Sequence, residues 1–233
     1  MRPPRSALTG SLVYTVAGLL WIWVARPAYG PALATWIVGL AVAGLFLSGW
    51  ANQLSLARAY LAAPAFAYST QGGDRGLGLL AITVSVAGLS DVVDGMVARR
   101  FDRPSRVGGG LDPIVDGLFF GAVAIGLAVA GAYPPWLAGL VVVRYLLPAA
   151  IAAALLLGGH EPKLQHTPLG QLATTMIALM LGGVALLRGL GLDAAGWITA
   201  GEFIIPIATV GAFANLYRAN RTVLLHSQGG EGG

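Results

Sequence analysis

The 233-residue chain has no cysteine, only three histidines and little charge, with Asp, Glu, Lys and Arg together making 10% of it. The missing cysteines exclude disulfides, thiolate metal sites and cysteine nucleophiles. The scarcity of charge excludes an ordinary soluble domain, in which about a quarter of the residues are charged. It equally excludes a disordered chain, which needs high charge and low hydrophobicity. Short segments of alternating polarity, the mark of a membrane barrel, are also missing. Fourteen Lys plus Arg against ten Asp plus Glu leave a net charge of +4. Despite a pI near 9.8, that excess is too small for a polyanion-binding surface, so nucleic acid is excluded as a partner.

What is present is apolar. Hydrophobic residues make 56% of the chain and mean hydropathy is +0.74. A spanning helix needs about 20 mostly apolar residues. Eight stretches qualify as candidates, at 8–25, 32–50, 53–71, 76–98, 112–131, 136–157, 168–187 and 196–220. Separators such as Arg26-Pro27-Ala28-Tyr29-Gly30-Pro31, Gly72-Gly73-Asp74-Arg75-Gly76 and Tyr133-Pro134-Pro135 carry the turn residues. The expected fold is therefore all-α, a polytopic membrane helix bundle. The 34 glycines suit close helix–helix approach, because small residues supply packing energy in lipid. The first stretch shows no clear small-residue cleavage site, and the segment 221–233 reads as a disordered cytoplasmic tail.

Basic residues set orientation. With the N-terminus inside, Arg2, Arg5, Arg58, Arg99, Arg100, Arg103, Arg106, Lys163, Arg218 and Arg221 fall at the inner side or its boundary. Arg26, Arg75 and Arg188 fall outside, and Arg144 lies within a span. The expectation is a multi-pass protein of the cell (inner) membrane with both termini cytoplasmic. The six tryptophans lie near span ends and read as interfacial anchors.

Five of the ten acids lie between residues 91 and 116. Asp91 and Asp94 are spaced i, i+3 at the end of one apolar stretch; Asp112 and Asp116 are spaced i, i+4 at the start of the next, so each pair shares a helix face. The connection from Arg99 to Leu111 is short and should return the chain antiparallel, bringing both pairs to the cytoplasmic rim. Carboxylates inside a span are costly, and four together repel one another. Divalent cations would offset both effects. The hard oxygen ligands favour Mg²⁺, with Mn²⁺ as a substitute, in one or two ions. Helix capping accounts for Asp112 but not for Asp94 and Asp116 inside the spans. Gly95 and Ala98 remove bulk beside the carboxylates, and the Arg99 guanidinium can hold phosphate oxygens bidentately. Metals, small residues and an arginine together suit a diphosphate-bearing substrate.

The segment Asp91-x2-Asp94-Gly95-x2-Ala98-Arg99-x8-Gly108-x3-Asp112-x3-Asp116 matches the signature of the CDP-alcohol phosphotransferase family in all eight fixed positions. Asn52-Gln53-Leu54-Ser55-Leu56-Ala57-Arg58, with Pro64 six residues on, resembles that family's first core helix. The resemblance covers residues 51–220, six of the eight stretches, and leaves 1–50 as two additional N-terminal helices. It implies a CDP-linked donor, commonly CDP-diacylglycerol, whose β-phosphorus is attacked by an alcohol with release of CMP. It also implies that Asp91, Asp94, Asp112 and Asp116 hold the metal and that Asp116 is the general base. Gly95, Ala98, Gly108 and Arg99 would form the nucleotide and diphosphate pocket, with Asn52 bordering it. A covalent aspartyl-phosphoryl intermediate is the competing mechanism, separable by stereochemistry at phosphorus.

Arg144, mid-span, can join Arg106 and Lys163 in an anion pocket, or pair structurally with Glu202. The former favours a phosphorylated acceptor, glycerol 3-phosphate or inositol phosphate. Leu111-Asp112-Pro113-Ile114-Val115-Asp116 resembles the wording of phosphatidylglycerolphosphate synthases, yet Gly117 stands where those enzymes usually carry lysine. The resemblance further implies a homodimer. The rival reading is a divalent-cation transporter or channel, since intramembrane acids also mark ion pathways. Against it, the acids cluster at one face and no inverted repeat is visible.

Overall fold

The computed structural model describes residues 4–101, 108–157 and 168–226, and at some positions, including Asp91, Asp94, Gly95, Ala98, Arg99, Gly108 and Asp112, the backbone only. Among the described residues there are eight helices and no strand: α1 (Arg5–Ala25), α2 (Gly30–Gly44), α3 (Trp50–Gln71), α4 (Gly73–Phe101), α5 (Gly108–Val129), α6 (Pro135–Leu157), α7 (Pro168–Gly189) and α8 (Ala195–His226). The helices coincide with the eight apolar stretches of the sequence, with α4 and α8 longer than expected and α2 shorter.

Glycine sets the corners. Gly131 and Gly191 take φ of 67° and 70° just beyond α5 and α7. The amides of Ala132 and Leu192 reach back to Leu127 O and Leu187 O at 2.9 and 2.8 Å, closing both helices with a Schellman turn. Gly72, at φ 63°, separates α3 from α4, and Gly73, also at φ 63°, opens α4. The early end of α2 has a tertiary cause. Buried Gln53 on α3 donates Nε2 to Gly44 O at 3.0 Å and Leu47 O at 2.9 Å. A side chain from the next helix thus takes carbonyls that a longer α2 would have bonded within itself.

Six helices close a ring in the order α3, α4, α7, α8, α6, α5 and back to α3, while α1 and α2 pack on each other and on α3. The ring encloses one apolar cluster that includes Leu80, Phe119, Val123, Leu127, Leu137, Ile177, Leu181 and Ile205. A second cluster, with Leu33, Ile37, Leu56, Tyr60 and Ala63, joins the N-terminal hairpin to α3. Among the described residues three segments are long and apolar enough to cross a membrane: Arg5–Ala25, Leu169–Gly189 and Ala195–Asn215. The 15 residues of α2 rise only about 22 Å, less than a hydrocarbon core of about 30 Å. Helix α3 falls short on composition, because it carries Asn52, Gln53, Arg58 and Gln71 among its apolar residues. Those polar groups are tolerable because most of α3 is covered by other helices rather than by lipid.

Close approach explains several glycines. A Cβ on Gly189 would meet the backbone of Leu77 and Gly78 at 2.5–3.0 Å, so α7 and α4 touch there main chain to main chain. A Cβ on Gly183 would enter the Trp197 indole, whose Nε1 donates to Met180 O at 3.1 Å. The Trp21 and Trp36 indoles also bond neighbouring helices, to Tyr68 Oη at 2.7 Å and Ala59 O at 3.0 Å. These tryptophans therefore fasten the bundle as well as marking its ends.

Candidate active site

Helix α3 lies between α4 and α5 and packs on both, so its side chains can reach whatever the two acidic helices present. Arg58 does so. It is only 3% exposed, and its Nη1 donates to Asp116 Oδ1 at 2.5 Å. The Asp116 side chain is 15% exposed. Such a charge inside an apolar bundle is tolerated only when paired and hydrogen-bonded.

Arg144 approaches from α6. It is 8% exposed, its Nη2 donates to Gly170 O at the start of α7 at 3.3 Å, and it interacts electrostatically with both Asp116 and Tyr145. Its Nε is buried without a hydrogen-bond partner among the described residues. With Glu202, the ion-pair partner considered from the sequence, Arg144 forms no salt bridge among the described residues. Tyr145 is buried, stacks on Phe120 with ring centroids 6.2 Å apart, and feels Asp116, Arg144 and Arg58. It occupies its place because residue 117 is glycine: a Cβ there would stand 2.7 Å from Tyr145 Cβ.

The remaining sequence candidates divide by position. Asp91, Asp94, Gly95, Ala98 and Arg99 lie on the last third of α4, and Gly108 and Asp112 on the first turns of α5. The helical spacing that puts each acid pair on one face is therefore present in the backbone, while the contacts of those side chains lie outside the described residues. Arg106 and Lys163 lie outside them altogether. Asn52, on the first turn of α3, donates Nδ2 to Ser48 O at 2.6 Å.

Among the described residues no three acids or histidines form a cluster, and Asp116 is the only one of the four aspartates whose side chain is described. Its chemistry suits a hard dication. A carboxylate offers about four lone-pair sites, so the Arg58 contact at Oδ1 does not exhaust it. Arg58 itself was legible as a basic residue of the first core-helix pattern and was counted toward topology. Its contact with Asp116, 58 residues away, has no signature in either local segment. The place of Tyr145 was likewise not foreseen.

Fold and site together define a class: a polytopic helical bundle with a buried cluster of one acid and two arginines, at the end of an acidic motif. The family model for CDP-alcohol phosphatidyltransferase matches residues 49–212, and the chain belongs to that family. It is 30% identical over 146 residues to a cardiolipin synthase (CMP-forming) of Streptomyces coelicolor, covering 63% of this chain and 65% of the relative. It is 38% identical over 94 residues to a probable cardiolipin synthase (CMP-forming) of Drosophila melanogaster, covering 40% and 28%. It is 43% identical over 65 residues to the chloroplastic CDP-diacylglycerol–glycerol-3-phosphate 3-phosphatidyltransferase 1 of Oryza sativa, covering 28% and 20%. The chain thus spans between 20% and 65% of the lengths of these relatives. No solved structure matches it.

Proposed function

We propose that the protein transfers a phosphatidyl group from a CDP-linked lipid, CDP-diacylglycerol, to the hydroxyl of a phosphate-bearing alcohol, releasing CMP. The observation that carries this reading is the buried cluster at Asp116: the last acid of an eight-residue family motif meets Arg58 directly and Arg144 electrostatically inside the bundle.

In this mechanism the acceptor hydroxyl attacks the β-phosphorus of the donor. The new O–P bond forms, the bond from that phosphorus to CMP breaks, and the hydroxyl proton passes to Asp116 as general base. Arg58 acts through Asp116, fixing its rotamer so that one carboxylate oxygen stays directed at the acceptor. Arg99 and the small residues Gly95, Ala98 and Gly108 take the diphosphate and nucleotide, with Asn52 at the edge. Asp91, Asp94, Asp112 and Asp116 would hold one or two Mg²⁺, or Mn²⁺ in substitution; when bound, the cation neutralises phosphate charge and polarises the phosphorus. A direct displacement inverts configuration at phosphorus, and net retention would overturn it in favour of a covalent intermediate.

For the acceptor, Arg144, supported by Arg106 and Lys163, supplies positive charge beside the base, which favours an alcohol that carries its own phosphate. Glycerol 3-phosphate and a glycerol-headed phospholipid share that chemistry, and the relatives' names divide between the two products. Inositol phosphate has the same charge but no counterpart among those names. The basic-residue count puts the site and both termini at the cytoplasmic face of the cell membrane. Residues 51–220 would form the catalytic core, and a homodimer is the expected assembly.

The test is an acceptor panel. Purified protein with CDP-diacylglycerol and Mg²⁺ should release CMP with a phosphoglycerol acceptor and much less with neutral alcohols. No CMP release with any acceptor would sink the reading.

A further inference from the structure

A second site lies at the far end of α3. Between the α1–α2 turn and the last turns of α3 there is a cavity of about 350 Å³, lined by Trp21, Arg26, Tyr29, Tyr68, Thr70 and Gln71 among others. The volume falls within the range of small-ligand sites, about 300–1,000 Å³. Its α3 lining, residues 67–71, begins nine residues beyond Arg58, which puts it roughly 14–20 Å along the helix axis from the Asp116 cluster. It is therefore separate from the candidate active site.

The cavity is built rather than incidental. The Trp21 indole donates to Tyr68 Oη at 2.7 Å, and the two rings meet edge to face with centroids 5.9 Å apart. Tyr29 packs on Phe66 with centroids 5.6 Å apart. These contacts tie the wall from α1 and the turn to the wall from α3. Arg26, an exposed residue of the lining, takes a left-handed conformation, φ 47° and ψ 54°, the only non-glycine residue with positive φ among the described residues. That backbone state disfavours a branched or long side chain, and sequences place glycine or asparagine there when nothing else is required. Holding an arginine in it points to a use for the guanidinium. Its side chain has no ion-pair partner among the described residues.

We infer that this cavity binds the phosphate of an anionic membrane lipid headgroup at the bundle end opposite Asp116. An unpaired guanidinium offers bidentate hydrogen bonds to phosphate oxygens. Thr70 and Gln71 add polar groups for a headgroup hydroxyl, and Trp21, Tyr29 and Tyr68 sit where aromatic rings meet the headgroup layer. The cavity lies at helix ends, the level at which lipid phosphates are found. Phosphate is the shared chemistry of a lipid headgroup and a free anion, and the test separates the two sources.

The full chain, purified in neutral detergent, is melted with short-chain phosphatidylglycerol, short-chain phosphatidylcholine or inorganic phosphate. Phosphatidylglycerol should raise Tm of the wild-type protein and phosphatidylcholine should not. Arg26→Gln should lose that part of the rise, and Arg26→Lys should recover it. Any contribution from the active site is common to all three proteins, and CMP release should be the same in all. A rise with inorganic phosphate equal to that with phosphatidylglycerol, and lost in Arg26→Gln, would overturn the lipid assignment in favour of a free anion. Should Arg26→Gln fail to fold, Gln71→Glu places a negative charge in the same cavity and should abolish the rise. An undiminished rise in either variant overturns the site.

Discussion

Arg58 on α3 and Asp116 on α5 form a buried ion pair, Nη1 to Oδ1 at 2.5 Å, between two helices that are otherwise packed largely through apolar side chains. In such surroundings the two ends of the pair are not equivalent to neutral substitutes, because removing either takes away the other charge's directly hydrogen-bonded counter-ion. Arg58→Met should therefore destabilise the protein by about 3–5 kcal/mol, read as a fall in Tm. The double variant Arg58→Met/Asp116→Leu should recover most of that loss while remaining without activity. A double variant no more stable than the single one would show that the pair is not what couples α3 to α5.

Asp116→Asn separates stability from chemistry. The amide keeps the shape and its Oδ1 can still accept from Arg58 Nη1, so the protein should fold, with a fall in Tm smaller than that of Arg58→Met. Loss of a general base should lower CMP release by about 10²–10⁴-fold. Full turnover in this variant would remove Asp116 from its assigned role.

Arg144 should reveal itself in acceptor binding. It reaches from α6 to the start of α7, with one donor bonded to Gly170 O and Nε without a hydrogen-bond partner among the described residues. Arg144→Gln should raise KM for a phosphorylated acceptor by about 10–100-fold, as expected for a charged hydrogen bond worth about 1.5–3 kcal/mol. KM for the CDP-linked donor should change little. An equal rise in both would assign Arg144 to the fold or the diphosphate instead.

Metal dependence follows from the oxygen donors of the acidic motif. Chelation should abolish CMP release, Mg²⁺ should restore it, and Mn²⁺ should substitute. Asp91→Asn, Asp94→Asn and Asp112→Asn should each weaken the Mg²⁺ response. Activity that survives exhaustive chelation would contradict the assignment.

Two glycines test the packing. Gly189→Ala brings a methyl within 2.5–3.0 Å of the Leu77–Gly78 backbone, which cannot swing aside. It should cost about 1–3 kcal/mol, measurable as a lowered Tm. Gly117→Lys would introduce the residue common in phosphatidylglycerolphosphate synthases, but its Cβ meets Tyr145 Cβ at 2.7 Å. It should lower Tm and activity together, and Gly117→Lys/Tyr145→Ala should restore stability. Unchanged Tm in the single variant would show that Tyr145 has another place to go.

The helices were readable from the sequence because each is a local property. An apolar run bounded by Gly, Pro or charge has few alternatives in lipid, since its backbone must bond internally. The acidic motif was readable for a similar reason: i, i+3 and i, i+4 spacing on a helix fixes which carboxylates share a face. The early stop of α2 was hidden, because it depends on Gln53 of α3 taking the Gly44 and Leu47 carbonyls.

By itself, then, the sequence determined an all-helical membrane bundle, its eight segments and the acids of its motif, all of which follow from composition and from contacts within a few residues. Only the tertiary structure decided that Arg58 meets Asp116, that Arg144 bonds to Gly170 O, and that Gly117 makes room for Tyr145. Those relationships join residues up to 58 positions apart, and no local pattern encodes them. They arise when six helices close a ring and the charges must find partners inside it.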